Sequence, residues 1–173
     1  MATTAELLLD GFGRIRENVA DVLDGLTAEQ LTYRLDADAN PVSWLVWHLT
    51  RIQDDHVAAA FGLPQVWSSA GWAQRLGLPA GMMDHGYGHT PGQVASVAAA
   101  TSASGLLGEY HEATYAQTVK LVSEIRDADL DRIVDRRWTP AVTLGVRLVS
   151  VMDDDMQHVG QAAYVRGVVL RKG

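Results

Sequence analysis

Four places along the chain carry the chemistry of a helix N-terminus, and they constrain the fold more than anything else in its 173 residues. Asn40-Pro41, Thr90-Pro91 and Thr139-Pro140 each set a good capping side chain before a proline. At the first helical position the missing proline N–H costs nothing and φ is already set. Thr3 is followed by Glu6, and Thr90 by Gln93, at the spacing of a capping box. Apolar residues recur at helical spacing from these starts. The first helix is expected over Thr4–Asp24, stopping at Gly25, with a stripe of Leu7, Leu8, Phe12, Ile15, Val19, Val22 and Leu23. The second runs from Pro41 to Phe61 and ends at Gly62. The third begins at Pro91, is interrupted around Ser102 to Gly105, and continues to Ile125. The fourth starts at Pro140 or Thr143 and reaches Leu170, while Arg132 to Arg137 can pair briefly as strand. Four long amphipathic helices specify an all-α fold, a four-helix bundle forming one domain over residues 1–173.

The segment between Gly62 and His89 breaks this pattern, with five glycines, Pro64 and Pro79, and the exposed-looking Trp67 and Trp72. A long connection of this kind is usually functional, and its tryptophans need something to pack on. It reads as a lid or an interface, and the second reading admits a homodimer. The net charge of −7 argues against partners held through a cationic surface, so neither nucleic acid nor an anionic membrane is expected. No run of about 18 apolar residues occurs and the start lacks a signal-peptide pattern, which places the chain in the cytoplasm. There is no cysteine, so a disulfide, a cysteine nucleophile and a cysteine-ligated metal are excluded. Any thiol chemistry needs an external thiol.

The stretch MDDDMQHVGQ, Met152 to Gln161, sets three acids and a histidine inside the fourth helix. At about 100° per residue, Asp154 shares a stripe with His158, Gln161, Val151, Val165 and Arg147, while Asp153 and Asp155 flank it and can reach solvent. The apolar members point this stripe inward, with Asp154 and His158 at i, i+4 where side chains meet. The second helix repeats the pattern in SWLVWHLTRIQDDH, where His48 shares a face with Trp44, Ile52, Asp55 and Ala59. His48, Asp154 and His158 together make a two-histidine, one-carboxylate metal set with open coordination positions. The competing reading is a hydrogen-bonded Asp–His pair beside a core histidine. Asp55 suits an outer acceptor for a ligand histidine or an ion pair to Arg51 or Arg147. Arg51, Arg147 and Arg166 can pair with a carboxylate. His56, His85 and His89 read as surface or capping residues, and Trp44 and Trp47 as core.

NPVSWLVWHL followed by acid-x-x-x-His-x-Gly-Gln at Asp154 to Gln161 resembles the DinB/YfiT-like superfamily of metal-binding four-helix proteins. The segments WHLTRIQDDHVA, YGHTPGQV and DDDMQHVGQAAYVRG are similar to an actinobacterial branch related to mycothiol S-transferases and mycothiol-dependent maleylpyruvate isomerase. The resemblance spans essentially the whole chain and implies His48, Asp154 and His158 as metal ligands, with zinc as the metal. Many relatives carry His or Glu where this chain has Asp154, a shorter oxygen ligand. The implied function is a metal-dependent S-transferase using a low-molecular-weight thiol, mycothiol, to attack an electrophilic small molecule. Arg51, Asp55, Arg147 and Gln161 are the candidate thiol and substrate pocket. A metal-dependent hydrolase and a non-enzymatic metal-binding stress protein are the alternatives.

Overall fold

In a computed structural model, which describes residues 2–79 and 81–172, the expected long helices are present. α1 spans Thr4–Leu23 and α2 Ala28–Thr32. α3 spans Val42–Phe61, and two short helices follow, α4 over Val66–Ser69 and α5 over Trp72–Arg75. α6 covers Pro91–Ala100 and α7 Ser104–Val122, split where the sequence suggested an interruption. A short 3-10 turn, Asp127–Asp129, leads to strand β1, Ile133–Asp135, which pairs antiparallel with β2, Val142–Thr143. The last helix, α8, runs over Leu144–Lys172. The architecture is the all-α bundle with a minimal two-stranded ribbon.

Both expected capping boxes form, at Thr3 with Glu6 and at Thr90 with Gln93, and Thr27 with Gln30 adds a third at α2. Two of the four proposed starts are shifted. Pro41 is itself the N-cap of α3, in an extended conformation, and no side chain caps that end. Thr139-Pro140 does not open α8, because Val142 and Thr143 are taken up by the return strand; the helix begins after them, with the Thr143 hydroxyl accepting a hydrogen bond from the Val146 N–H at 3.3 Å. Leu7 also leaves the stripe assigned to it. It lies about 100° from Leu8 on the wheel and is 65% exposed, while Leu8, Phe12, Ile15, Val19 and Val22 are buried.

α3 is the central element, with only Asp55, His56, Ala59 and Phe61 of its 20 residues escaping full burial. It packs mainly on α8 and α7. Among the described residues no helix is long and apolar enough to cross a membrane.

The segment after Gly62 is packed and not open. Trp67 and Trp72, read as exposed, are only 1% and 3% exposed. Asp54 on α3 accepts hydrogen bonds from the backbone N–H groups of Val66 and Trp67 at 2.8 and 2.7 Å and from the Tyr110 hydroxyl at 2.9 Å. Arg51 is fully buried, pairs with Asp54 at 3.6 Å, and donates to the carbonyls of Met83 and Asp84 at 3.2 and 3.3 Å. Its guanidinium lies 4.6 Å over the Trp67 ring. Arg51 therefore ties the segment down onto α3, and with its donors spent inside the fold it cannot line an open substrate pocket.

A buried polar pair in the bundle interior was not foreseen. His111 on α7 is 1% exposed, and its Nδ1 lies 3.0 Å from the Thr50 hydroxyl. That hydroxyl already donates to the Val46 carbonyl, so it accepts from Nδ1–H and leaves the imidazole neutral. Burial, with the nearby Arg16 charge second, pushes the His111 pKa down to about 4.

Candidate metal centre

α3 and α8 run antiparallel, as two contacts show. The rings of His48 and His158 meet at 4.6 Å, T-shaped, and about two turns away Arg147 Nη1 lies 3.2 Å from His56 Nδ1. Asp154, one turn before His158, completes the first group. One donor atom from each of His48, Asp154 and His158 falls within 4.8 Å of the others, and among the described residues this is the one cluster of its kind.

The burial of α8 shows why these side chains are usable. Its buried residues, Leu144, Leu148, Val151, Asp155, Val159, Ala162, Val165 and Val169, centre about 80° from Asp154 on the wheel. Asp154 and His158 stand at the edge of the buried face, half-buried, and His48 reaches them from the core at 5% exposure. The expectation that Asp155 reaches solvent is overturned. Asp155 is fully buried, and neither carboxyl oxygen has a hydrogen-bond partner. Burial, and then the neighbouring Asp154 charge, raise its pKa well above the ordinary carboxylate range and favour the neutral acid. The wheel had centred the core face on Asp154, one residue too early.

Hydrogen bonds set both imidazoles. The His48 Nδ1–H donates to the His85 carbonyl, and the His158 Nδ1–H donates to the Asp154 carbonyl at 2.8 Å. A carbonyl only accepts, so each ring carries its proton on Nδ1 and presents the Nε2 lone pair. Asp154 Oδ2 lies 3.3 Å from His158 Nδ1, is shielded from solvent, and has no aligned hydrogen bond. Burial lowers the His48 pKa, and only in part does the His85 carbonyl oppose it. Burial also pushes His158 down, but the Asp154 side chain and carbonyl outweigh it and leave the pKa raised. Asp154 is desolvated too, yet the contact with His158 holds its pKa below the usual value.

These donors fit a divalent metal. Imidazole nitrogen and carboxylate oxygen bind zinc at about 2.0–2.2 Å, so three donors this close can share one ion after side-chain rotation. The unpartnered Asp154 oxygen is the atom that lacks a partner in the protein alone. Outer contacts orient the His48 ring, as a candidate metal ligand needs. Trp44 stacks on His48 at 4.8 Å and 11° and donates its Nε1–H to His89 Nδ1 at 3.2 Å. His89 then donates from Nε2 to Asp84 at 2.6 Å, and Asp84 accepts the Gly86 N–H at 2.8 Å. His89, expected at the surface, is thus a clip for the turn that carries His85.

Gly86 lets that turn approach. Its φ is +95°, and an added Cβ would lie 2.8 Å from the Trp44 ring, 2.9 Å from Trp47 and 3.2 Å from His48 Nδ1. Gly86→Ala must move the turn and with it the His85 carbonyl. Metal affinity, read by competition with a chromogenic chelator, is expected to fall ten- to a hundredfold, the range for lost outer-shell support. Unchanged affinity would show that the His85 contact does not orient His48.

The other candidates separate. Asp55 is half-buried and accepts a hydrogen bond from the Gln65 side chain, so neither Arg51 nor Arg147 is its partner. Arg147 pairs with Asp135 at 2.9 Å beside His56. Gln161 is exposed near the start of α3, on a groove it shares with Asn40 and Tyr164 and that none of the three cluster residues lines. Arg166 donates to the carbonyls of Asp21 and Asp24 and closes the C-terminal end of α1. A groove of about 620 Å³ between α1 and α8 contains none of the three cluster residues.

Comparison with known proteins adds the following. The family described as Mycothiol-S-transferase matches residues 7–170. The crystal structure of a conserved protein of locus from Enterococcus faecalis is similar with a TM-score of 0.87 and 31% sequence identity, covering 98% of this chain and 99% of that one. No curated protein matches the sequence.

Proposed function

The chain belongs to the mycothiol-S-transferase family, and from that premise we propose that it is a metal-dependent S-transferase joining the sulfur of mycothiol to an electrophilic small molecule. The observation that carries the metal dependence is the convergence of His48, Asp154 and His158, with an Asp154 oxygen left without a partner. A divalent metal, when bound, lowers the pKa of a coordinating thiol and so raises the thiolate fraction. His48 and His158 present Nε2 in a fixed tautomer. Asp154 supplies negative charge at the solvent edge of the bundle, and Trp44, Trp47 and the turn at Gly86 keep water from the His48 side. With no cysteine in the chain, the sulfur has to come from the co-substrate.

With an aryl halide as probe, a C–S bond forms at the ring carbon, the carbon–halogen bond breaks, and the thiol proton passes to solvent. A free thiol of pKa about 8.5 is only a few per cent ionised near pH 7, so ionisation raises the reactive fraction by little more than about tenfold. Further acceleration has to come from positioning. The expected result is conjugation that saturates with mycothiol, disappears with chelator and returns with added metal. Ester or amide turnover at an equal rate without thiol would make the chain a hydrolase. A metal-loaded protein inert toward every thiol and electrophile would make it a binding protein.

A further inference from the structure

Two cavities, of about 380 and 430 Å³, adjoin on the α3–α8 face and share His56, Asp135, Arg137 and Arg147. Asp55 lines the first and Trp138, 65% exposed, lines the second. We infer that this pair of cavities is a subsite for the neutral polyhydroxylated part of the thiol co-substrate, the amino sugar and cyclitol rings. The inference rests on the proposed use of mycothiol, whose thiol is carried on an N-acetylcysteinyl group linked to those rings.

The distance fits. Asp55 and His56 follow His48 by seven and eight residues on α3, and Arg147 precedes Asp154 by seven on α8. Because the helices are antiparallel, both offsets run the same way, about 10–12 Å along the groove from the metal ligands at 1.5 Å per residue. An extended cysteinyl link places the first ring carbon about 6 Å from the sulfur by ordinary bond lengths. The rings themselves extend across the remainder.

The polar chemistry suits a ligand that both donates and accepts, because Asp55 and Asp135 stand with Arg136, Arg137 and Arg147 around the two cavities. Asp135 accepts from the Arg137 backbone N–H and side chain and from Arg147 Nη2, so these two guanidiniums already face a carboxylate. His56 stays neutral at pH 7 because burial, and then the Arg147 charge, lower its pKa. Asp55 keeps acceptor capacity beyond its one bond from Gln65. A hydroxyl can donate to Asp55 and accept from spare Arg147 N–H groups, which a carboxylate cannot do. At the rim, Trp138 offers an apolar face to the C–H surface of a ring.

The test uses three probes on metal-loaded protein: mycothiol, its thiol-free N-acetylglucosaminyl-inositol, in which the sugar nitrogen stays a neutral amide, and N-acetylcysteine amide, which has the thiol without the rings. N-acetylglucosaminyl-inositol is expected to bind in calorimetry, and Asp55→Ala and Trp138→Ala should each weaken it about tenfold. The same variants should lower the preference for mycothiol over N-acetylcysteine amide in conjugation by about tenfold, with metal content unchanged. Binding that is absent in the parent, or equal in parent and variants, overturns the subsite. If the variants weaken N-acetylglucosaminyl-inositol but no thiol is ever conjugated, the subsite stands and the transferase reading fails.

Discussion

His158→Ala is expected to empty the metal centre while leaving the bundle folded. The substitution leaves His48 and Asp154, two protein ligands, where zinc sites that persist use at least three. Metal per chain after dialysis should fall from about one to below about a tenth, a drop in affinity of at least a hundredfold when one ligand of three is lost. The fold has little reason to follow. His158 sits at the edge of the buried face of α8, whose packing is carried by Leu148, Val151, Ala162 and Val165, and alanine is the best helix former. Helical circular dichroism and the denaturant midpoint of the metal-free protein should match the parent. Elemental analysis and conjugation assays check the first part together. Full metal content in the variant would remove His158 from the ligand set, and a variant that unfolds would make the histidine structural.

Acid sensitivity of the fold should trace in large part to His111. Its imidazole is neutral and buried, with Nε2 facing no partner, and its pKa is lowered from 6.5 to about 4. An unfolded chain takes up a proton below about pH 6.5 that the native chain refuses until about pH 4. Stability therefore falls as pH drops through that window and levels off below it, by about 3 kcal/mol at 1.36 kcal/mol per pKa unit. Asp155 acts in the opposite sense. Its raised pKa means the native chain holds a proton that the unfolded chain has released above pH 3.8, so it costs stability as pH rises. A bare pH profile mixes the two, and the difference between parent and His111→Gln separates them. That difference should grow in favour of the parent by about 3 kcal/mol between pH 4 and pH 7 in denaturant titrations. A constant difference would mean that His111 is hydrated or protonated in the native state.

How far each part of the site could be read depended on whether local geometry decided it. Asp154 and His158 are four residues apart on one helix, so their meeting follows from helical rise and twist. That His48 faces them was visible as a polar residue centred in an apolar stripe on a second helix. Asp155 was misplaced because a wheel gives angles between residues but not the direction of the neighbouring helices. A shift of about 80° in the centre of the buried face moved it from a solvated flank to the interior. The role of Gly86 was beyond reach for a different reason. Five glycines lie in its segment, and only the approach of Trp44, Trp47 and His48 distinguishes this one from the rest. Trp138 and Asp135 carried no motif, and they reach the α3–α8 groove only because β1 turns back on β2.

What the sequence by itself determined is therefore what short-range physics controls. The capping boxes at Thr3 and Thr90 and the apolar stripes specified a helical bundle, the Asp154–His158 spacing brought those two side chains together, and the absence of cysteine meant that any thiol chemistry needs an external thiol. Tertiary structure alone decided the turn of α8 about its axis, the carbonyl that orients His48, the burial of Arg51 under the 62–89 segment, and the convergence of Asp55, Arg147 and Trp138. Each of these is a contact between residues distant in sequence, set when packing of the whole core chooses one rotation and register for each helix.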